Sequence, residues 1–229
     1  MPVLTKRFLK LQSVLNRRMA DLTVLLEHVE KPHNLSAILR SCDAVGVLEA
    51  NAINNHGKTS TFNSTAQGSQ KWVKVHDHKD IYTATKHLKN QGFTLFGTSI
   101  EKGSLDYRKC DFKVPTAFVL GAEKWGLDNK TIKMMDEIIY IPMRGMVQSL
   151  NVSVAAATLL FEALRQRQEA GIAPQHGEGL SKSLYTKMIF EWAYPEVARW
   201  CNEVGRDYPS LDSQGVITEN LPRTIKMRY

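Results

Sequence analysis

At 229 residues, 43% of them hydrophobic and 23% charged, the chain has the composition of a folded globular protein with room for one sizeable domain and extensions, or two small domains. Its three cysteines, Cys42, Cys110 and Cys201, are scattered and odd in number, which gives no disulfide framework or C-x-x-C zinc site and fits reduced thiols in the cytoplasm. Neither a continuous apolar leader nor a run of about 18 apolar residues occurs, so no signal peptide and no membrane span are expected.

The formal charge of +7 is unevenly placed. Lys6, Arg7, Lys10, Arg17 and Arg18 all precede the first acid, Asp21. Such a patch is the electrostatic footprint of a polyphosphate partner, although a solvated helix face has the same composition. Leu4, Phe8, Leu11, Leu15 and Met19 recur through it at helical spacing, predicting an amphipathic helix with basic flanks. "LTVLLEHV" (22–29) then reads as a buried strand. "NLSAILRSCDAVG" carries Leu35, Ile38, Leu39, Cys42 and Val45 on one helical face, with Asn34 as N-cap and Gly46 as stop. "LEANAI" (48–53) is a short strand, and a polar stretch (57–70) has the character of a short helix. "WVKVH" is a strand, "KDIYTATKHLKNQG" a helix closed by Gly92, and "FTLFGTS" a strand. "TAFVLG" is a buried strand, "LDNKTIKMMD" a helix and "EIIYIPM" a strand, and 151–169 is a long helix.

Alternation of strand and helix over this span implies a parallel sheet covered on both faces. Beyond a Gly/Pro-rich linker, "SLYTKMIFEW" and "PEVARWCNEVG" read as two helices, the second with Pro195 in its first turn. The plan is a basic N-terminal helix (1–20), an α/β domain (21–169) and a helical C-terminal extension (170–229).

Several chemistries find no support. "GAEKWG" has the glycine spacing of a phosphate loop, but Leu127 and Asp128 follow where Lys and Ser/Thr are needed. No G-x-G-x-x-G follows a strand, and no H-E-x-x-H or G-x-S-x-G occurs. His76 and His78 in "VHDHKD" read as part of a solvated loop, so no metal is expected. What remains is three polar clusters, each where a strand meets the next helix, the place where open α/β sheets bind ligands. They are "KPHNLSAILR", "LGAEKWGL" and "IPMRGMVQSLNVS". Singly, each has a plain reading: Asn34 as a cap, Arg40 paired with Asp43 on an exposed face, a glycine turn around Glu123, and Asn151 capping the long helix.

Taken together and in order, the clusters resemble the three signature motifs of the SpoU/TrmH branch of the SPOUT methyltransferases. Asn34 and Arg40 match motif one. Gly121, Glu123 and Gly126 match the G-x-E-x-x-G of motif two. Ile141, Pro142, Met143, Gly145, Ser149, Leu150, Asn151, Val152, Ser153 and Ala155 match motif three. The resemblance spans 22–169 and implies the SPOUT fold: a mostly parallel sheet with helices on both faces and a C-terminal deep trefoil knot, with helical extensions at both ends. It implies S-adenosylmethionine as cofactor, contacted at Thr98, Gly121, Ile141 and Leu150 largely through backbone groups. Asn34, Arg40, Glu123, Ser149 and Asn151 would form the catalytic set, with Arg40 either the base assigned by the family or a charged stabiliser of the developing alkoxide.

The opening helix and "FEWAYPEVARW" resemble the flanking helices of family members that act on tRNA. The implied function is methyl transfer to the ribose 2′-hydroxyl of guanosine at position 18 in the tRNA D-loop, by a cytoplasmic homodimer whose Lys6, Arg7, Lys10, Arg17 and Arg18 meet phosphates. Ribosomal RNA or another tRNA position is the alternative target. A non-catalytic basic RNA-binding module is the alternative from a different class.

Overall fold

A computed structural model describes residues 5–29, 31–53, 71–101, 103–122 and 126–221. The chain divides into two compact units, Met19–Ala173 and a second made of Met1–Arg18 together with Pro174–Tyr229. The two flanking segments, separate in the sequence, thus share one unit.

The larger unit is a seven-stranded sheet in which every pairing is parallel. Its strands are β1 (Leu22–Leu26), β2 (Glu49–Ile53), β3 (Lys74–His78), β4 (Thr94–Thr98), β5 (Leu105–Asp106), β6 (Thr116–Leu120) and β7 (Glu137–Tyr140), in the order β3-β2-β1-β6-β4-β7-β5. β1 and β6 are buried at every residue, which is why both read as continuous apolar runs. Alternate side chains feed two cores. Leu22, Val24, Leu26, Phe118 and Leu120 pack with Leu35, Ile38, Leu39 and Cys42 of α2 (Pro32–Val45) and with Ala156, Leu159, Leu160 and Ala163 of α5 (Val152–Glu169). On the other face Leu25, Leu95, Ala117 and Val119 meet Ala84 and Leu88 of α3 (Ile81–Asn90). Gly46 ends α2 with φ 92°, the left-handed conformation that the stop required.

The structure shifts some elements. β3 covers 74–78, two residues further along than "WVKVH" (72–76), so His78 as well as His76 belongs to a strand and not a loop. His76 Nε2 lies 2.9 Å from the Glu49 carboxylate, and His78 Nε2 lies 2.8 Å from Asn51 Oδ1. The helix expected over "LDNKTIKMMD" shrinks to α4 (Asn129–Ile132), capped by Asp128. The two-residue edge strand β5 and the 3₁₀ turn after it (Tyr107–Lys109) are too short to leave a period in the sequence. The expected helix at 57–70 and the place of Leu4 fall outside the described residues.

The smaller unit packs α1 (Thr5–Leu15) on α6 (Lys182–Ala193), with α7 (Pro195–Val204) following directly. Phe8, Leu11 and Leu15 are the buried face of α1, as their spacing predicted. Pro195 opens α7 at its first turn. Tyr185 Oη donates to Asn16 Oδ1 at 2.7 Å, and Tyr194 Oη donates to the Gly215 carbonyl at 2.7 Å. Among the described residues, no helix is long and apolar enough to cross a membrane.

Candidate active site

Register brings three loops to one place. Thr98 pairs with Ile139, Gly97 with Val119 and Leu120 with Leu26, so the carboxyl ends of β4, β6, β7 and β1 lie side by side. β6 is inserted between β1 and β4, and β7 between β4 and β5, so chain order reverses there, as it does at ligand sites of open α/β sheets. Over these ends opens a cleft of about 620 Å³. Thr98, Gly121, Ile141 and Leu150, the four expected cofactor contacts, all line it. Ser149 lines it as well, with Ser99, Ile100, Met143 and Gln148. Of those last four, Met143 is a motif-three match, whereas Ser99, Ile100 and Gln148 were given no role at the site by the sequence reading. Gln148 directly precedes the motif residue Ser149 and Ser99 directly follows Thr98, so both could be found by reading outward from them.

The two ends of motif two lie against each other. Gly126 N–H donates to the Ala122 carbonyl at 2.8 Å, and Gly126 has φ 65°. A Cβ on Gly121 would stand 2.2 Å from the Gly126 backbone, so a side chain there cannot fit. The two glycines are thus explained by close approach and by left-handed backbone. Glu123 lies outside the described residues. Next to Leu120, whose carbonyl its backbone N–H meets, Glu27 directly follows β1 with its carboxylate buried. Burial raises its pKa above the usual carboxylate range, against the opposing hydrogen bond from Thr131 Oγ1 at 2.6 Å. Asp128 moves the other way, held down chiefly by the Thr131 backbone N–H it accepts.

Motifs one and three meet directly. Asn34 is not the N-cap of α2: Lys31 holds that position, with Pro32 behind it setting the first turn. Asn34 lies inside the helix, 2% exposed, and its Oδ1 accepts from Asn151 Nδ2 at 3.1 Å across 117 residues of chain. Asn151 also caps α5, its Oδ1 accepting from Ser153 N at 2.8 Å. Arg40 is exposed on α2, the helix packed against α5.

The basic residues divide. Lys6, Arg7, Lys10 and Arg17 are exposed. Arg17 Nε donates to the Ser13 carbonyl at 3.0 Å, which tethers its side chain along the helix. Arg18 departs from the phosphate-contacting expectation: it is 0% exposed, with its guanidinium 5.4 Å from the Trp192 ring centroid. A side chain enclosed this way cannot present its charge to a phosphate, so its role in the fold is structural.

A parallel α/β sheet with a cleft over its carboxyl edge, walled by glycine- and amide-bearing loops, has the ligand-binding architecture of open α/β proteins. The chain belongs to the SpoU rRNA Methylase family, whose pattern matches residues 21–161; the companion pattern "SpoU, rRNA methylase, C-terminal" matches 165–220. It is 52% identical over 183 residues to the tRNA (guanosine(18)-2′-O)-methyltransferase of Thermus thermophilus, covering 80% of this chain and 93% of that protein. Among solved structures, the Aquifex aeolicus TrmH/SpoU tRNA modifying enzyme is similar at a TM-score of 0.76 and 40% identity, over 84% of this chain and 97% of that one. The SpoU methyltransferase AviRb from Streptomyces viridochromogenes, in complex with the cofactor AdoMet, is similar at 0.60 and 28% identity, over 66% and 62%. The fold is therefore that of the SpoU methyltransferases.

Proposed function

We propose that this chain transfers a methyl group from S-adenosylmethionine to the ribose 2′-hydroxyl of guanosine at position 18, in the D-loop of tRNA. The observation that carries this reading is the convergence of Thr98, Gly121, Ile141 and Leu150, from three separate strand ends, on one cleft. Apolar walls from Leu120, Ile139 and Leu159 with a polar rim from Thr98, Ser99, Gln148 and Ser149 suit a cofactor that is part aliphatic and part nucleoside. The volume falls within the range of about 300–1,000 Å³ usual for such ligands.

When bound, S-adenosylmethionine supplies the electrophilic methyl group. The chain's own residues align the ribose oxygen, exclude water and stabilise the charge that grows on that oxygen. A guanidinium remains protonated at neutral pH and is a poor proton acceptor. Arg40 accordingly acts as a cation, orienting a substrate phosphate and stabilising the alkoxide. Ser149, Asn34, Asn151 and Glu123 shape the ribose side of the site. The trefoil knot belongs to the same reading, supported by the insertion of β7 between β4 and β5 and by the return of 141–150 beside Gly121 in one cleft.

Exposed Lys6, Arg7, Lys10 and Arg17 support contact with tRNA phosphates. Assembly as a homodimer is supported by the apolar patch of Val154 (49% exposed) and Phe161 (52%), two turns apart on α5. A tRNA substrate implies the cytoplasm as the place of action. The test is transfer of tritium from labelled S-adenosylmethionine to unmodified tRNA, with the labelled nucleotide mapped. Label on the ribose at position 18 is expected. Label at another nucleotide, or none, overturns the assignment.

A further inference from the structure

The loop between β7 and α5 leaves the cleft wall and returns to it. Ile141 and Met143 line the cleft on the way out, and Gln148, Ser149 and Leu150 line it on the way back. The residues between them, Arg144 to Val147, stand outside that lining and are all exposed, Met146 completely. A Cβ on Gly145 would meet nothing within 4 Å, so open space surrounds the excursion. It therefore sits at the mouth of the cleft. Arg144 follows Met143 directly, which sets its Cα about 3.8 Å from that of a wall residue. Of the ten arginines among the described residues, only Arg7 and Arg144 make no hydrogen bond, ion pair or ring contact with another described residue. The motif-three match passes over position 144, so the motif does not account for a charge there.

We propose that Arg144 is a substrate-binding residue: it grips the RNA backbone phosphate beside the nucleotide being methylated and so holds the ribose against the cleft. The proposal rests on the 2′-O-methyltransferase reading. A ribose within an RNA strand carries a phosphodiester on either side, so a 2′-oxygen that enters the cleft brings an anion to its mouth. A guanidinium with no internal partner can meet that anion with its planar fork, two parallel N–H donors on two phosphate oxygens. Pinning one flanking phosphate limits rotation of the ribose and keeps its oxygen in line with the methyl group. The other anion of the reaction is the carboxylate of S-adenosylmethionine. That group belongs with the residues lining the cleft, whereas Arg144 lies outside the lining and open to solvent, on the side from which the strand arrives.

Arg144→Ala removes no internal contact, so its melting temperature should match that of the unsubstituted protein. Its kcat/KM for tRNA should fall about tenfold, the weight of one charge-assisted contact, with affinity for S-adenosylmethionine in the absence of RNA unchanged. The log–log salt dependence of tRNA binding should flatten by roughly 0.7–0.9, the mark of a single phosphate. Arg144→Lys keeps the charge and should keep the slope, while recovering only part of the affinity because the fork is lost. A binding cycle locates the phosphate. In tRNA assembled by ligation, an uncharged methylphosphonate replaces the phosphate on one side or the other of guanosine 18. One of the two replacements should weaken binding to the unsubstituted protein about tenfold and cost Arg144→Ala nothing more. Additive losses at both phosphates, an unchanged salt slope in Arg144→Ala, or a loss of S-adenosylmethionine affinity would each overturn the proposal, the last by placing the cofactor carboxylate on Arg144. An unsubstituted chain that shows the coupling yet transfers no methyl group would remove the activity reading and leave the phosphate contact standing.

Discussion

Each unit of the chain buries an arginine, and the two solve the problem differently. In the sheet unit Arg167 is held by the Asp21 carboxylate at 2.6 Å and by the carbonyls of Phe112, Val114 and Asp21 at 2.9–3.1 Å. These oxygens replace the water that a buried cation gives up, and they tie the last turns of α5 to the start of β1 and the entry to β6. In the flanking unit Arg18 faces the Trp192 ring. There an aromatic quadrupole takes part of that role, at the junction of the basic segment with the helical extension. The contrast teaches that cations in a basic segment are not interchangeable: Arg17 is exposed beside a neighbour that is fully enclosed.

Under the proposed function, chemistry falls to the sheet unit and RNA charge to the flanking unit, and substitutions can break that division. Arg40→Ala should cost about 10²–10³-fold in kcat, the scale of losing one transition-state stabiliser, with the fold and S-adenosylmethionine binding intact. Arg40→Lys should recover little, since the ammonium lacks the planar fork; retention of most of the rate across neutral pH would contradict a geometry-specific guanidinium. Arg167→Ala should destabilise by about 3 kcal/mol or more, from an emptied buried volume and carbonyls left without donors, measured by urea denaturation.

Arg18→Ala should lower the melting temperature, and Arg17→Ala should leave it within error. A salt slope for tRNA binding that changed with Arg18→Ala and not with Arg17→Ala would return Arg18 to the RNA-facing set. Replacing Lys6 and Lys10 together by Ala should weaken tRNA binding at unchanged kcat and flatten the log–log salt dependence by roughly 0.7–0.9 for each phosphate interaction removed. An unchanged slope would take α1 out of the RNA interface. Leu150→Met should keep S-adenosylmethionine affinity, because the interaction expected there is made by the backbone.

The smallest effect concerns pH. Burial raises the folded-state pKa of Glu27 above its unfolded value. Its contribution to stability is therefore complete below the ordinary carboxylate range and is lost as pH rises through the folded-state value. Glu27→Gln, uncharged throughout, should melt higher than the unsubstituted protein in mildly alkaline solution, and the gap should close in acid. A gap independent of pH would show that packing and not ionisation is responsible.

Legibility followed the range of the interaction. β1 and β6 were plain in the sequence because burial on both faces demands unbroken apolar runs, and α2 because Leu35, Ile38, Leu39 and Cys42 keep the 3.6-residue period. Gly46 and Gly92 marked helix ends because only glycine takes a positive φ cheaply. The three motifs were visible as polar interruptions of oily segments, and their order carried the family resemblance. Asn34 misled because an asparagine near a helix start is ordinarily a cap; Pro32 had moved the start upstream, which freed its amide for a distant partner. β3 lay two residues later than expected, since an edge strand exposes polar residues and leaves no clean apolar run.

The sequence by itself determined the long elements, the sheet's class and the residue types at the site, all set by local periodicity, turn chemistry and composition. Tertiary structure alone decided that Thr98, Gly121, Ile141 and Leu150 share one cleft, that Asn151 meets Asn34, and that the two ends of the chain form one unit. It also decided that Arg18 is enclosed while Arg17 is not. The physical reason is common to these cases. Periodicity tells which face of an element leaves water, but only the strand order and register tell which other face it meets, and it is that meeting which orients an amide or buries a charge.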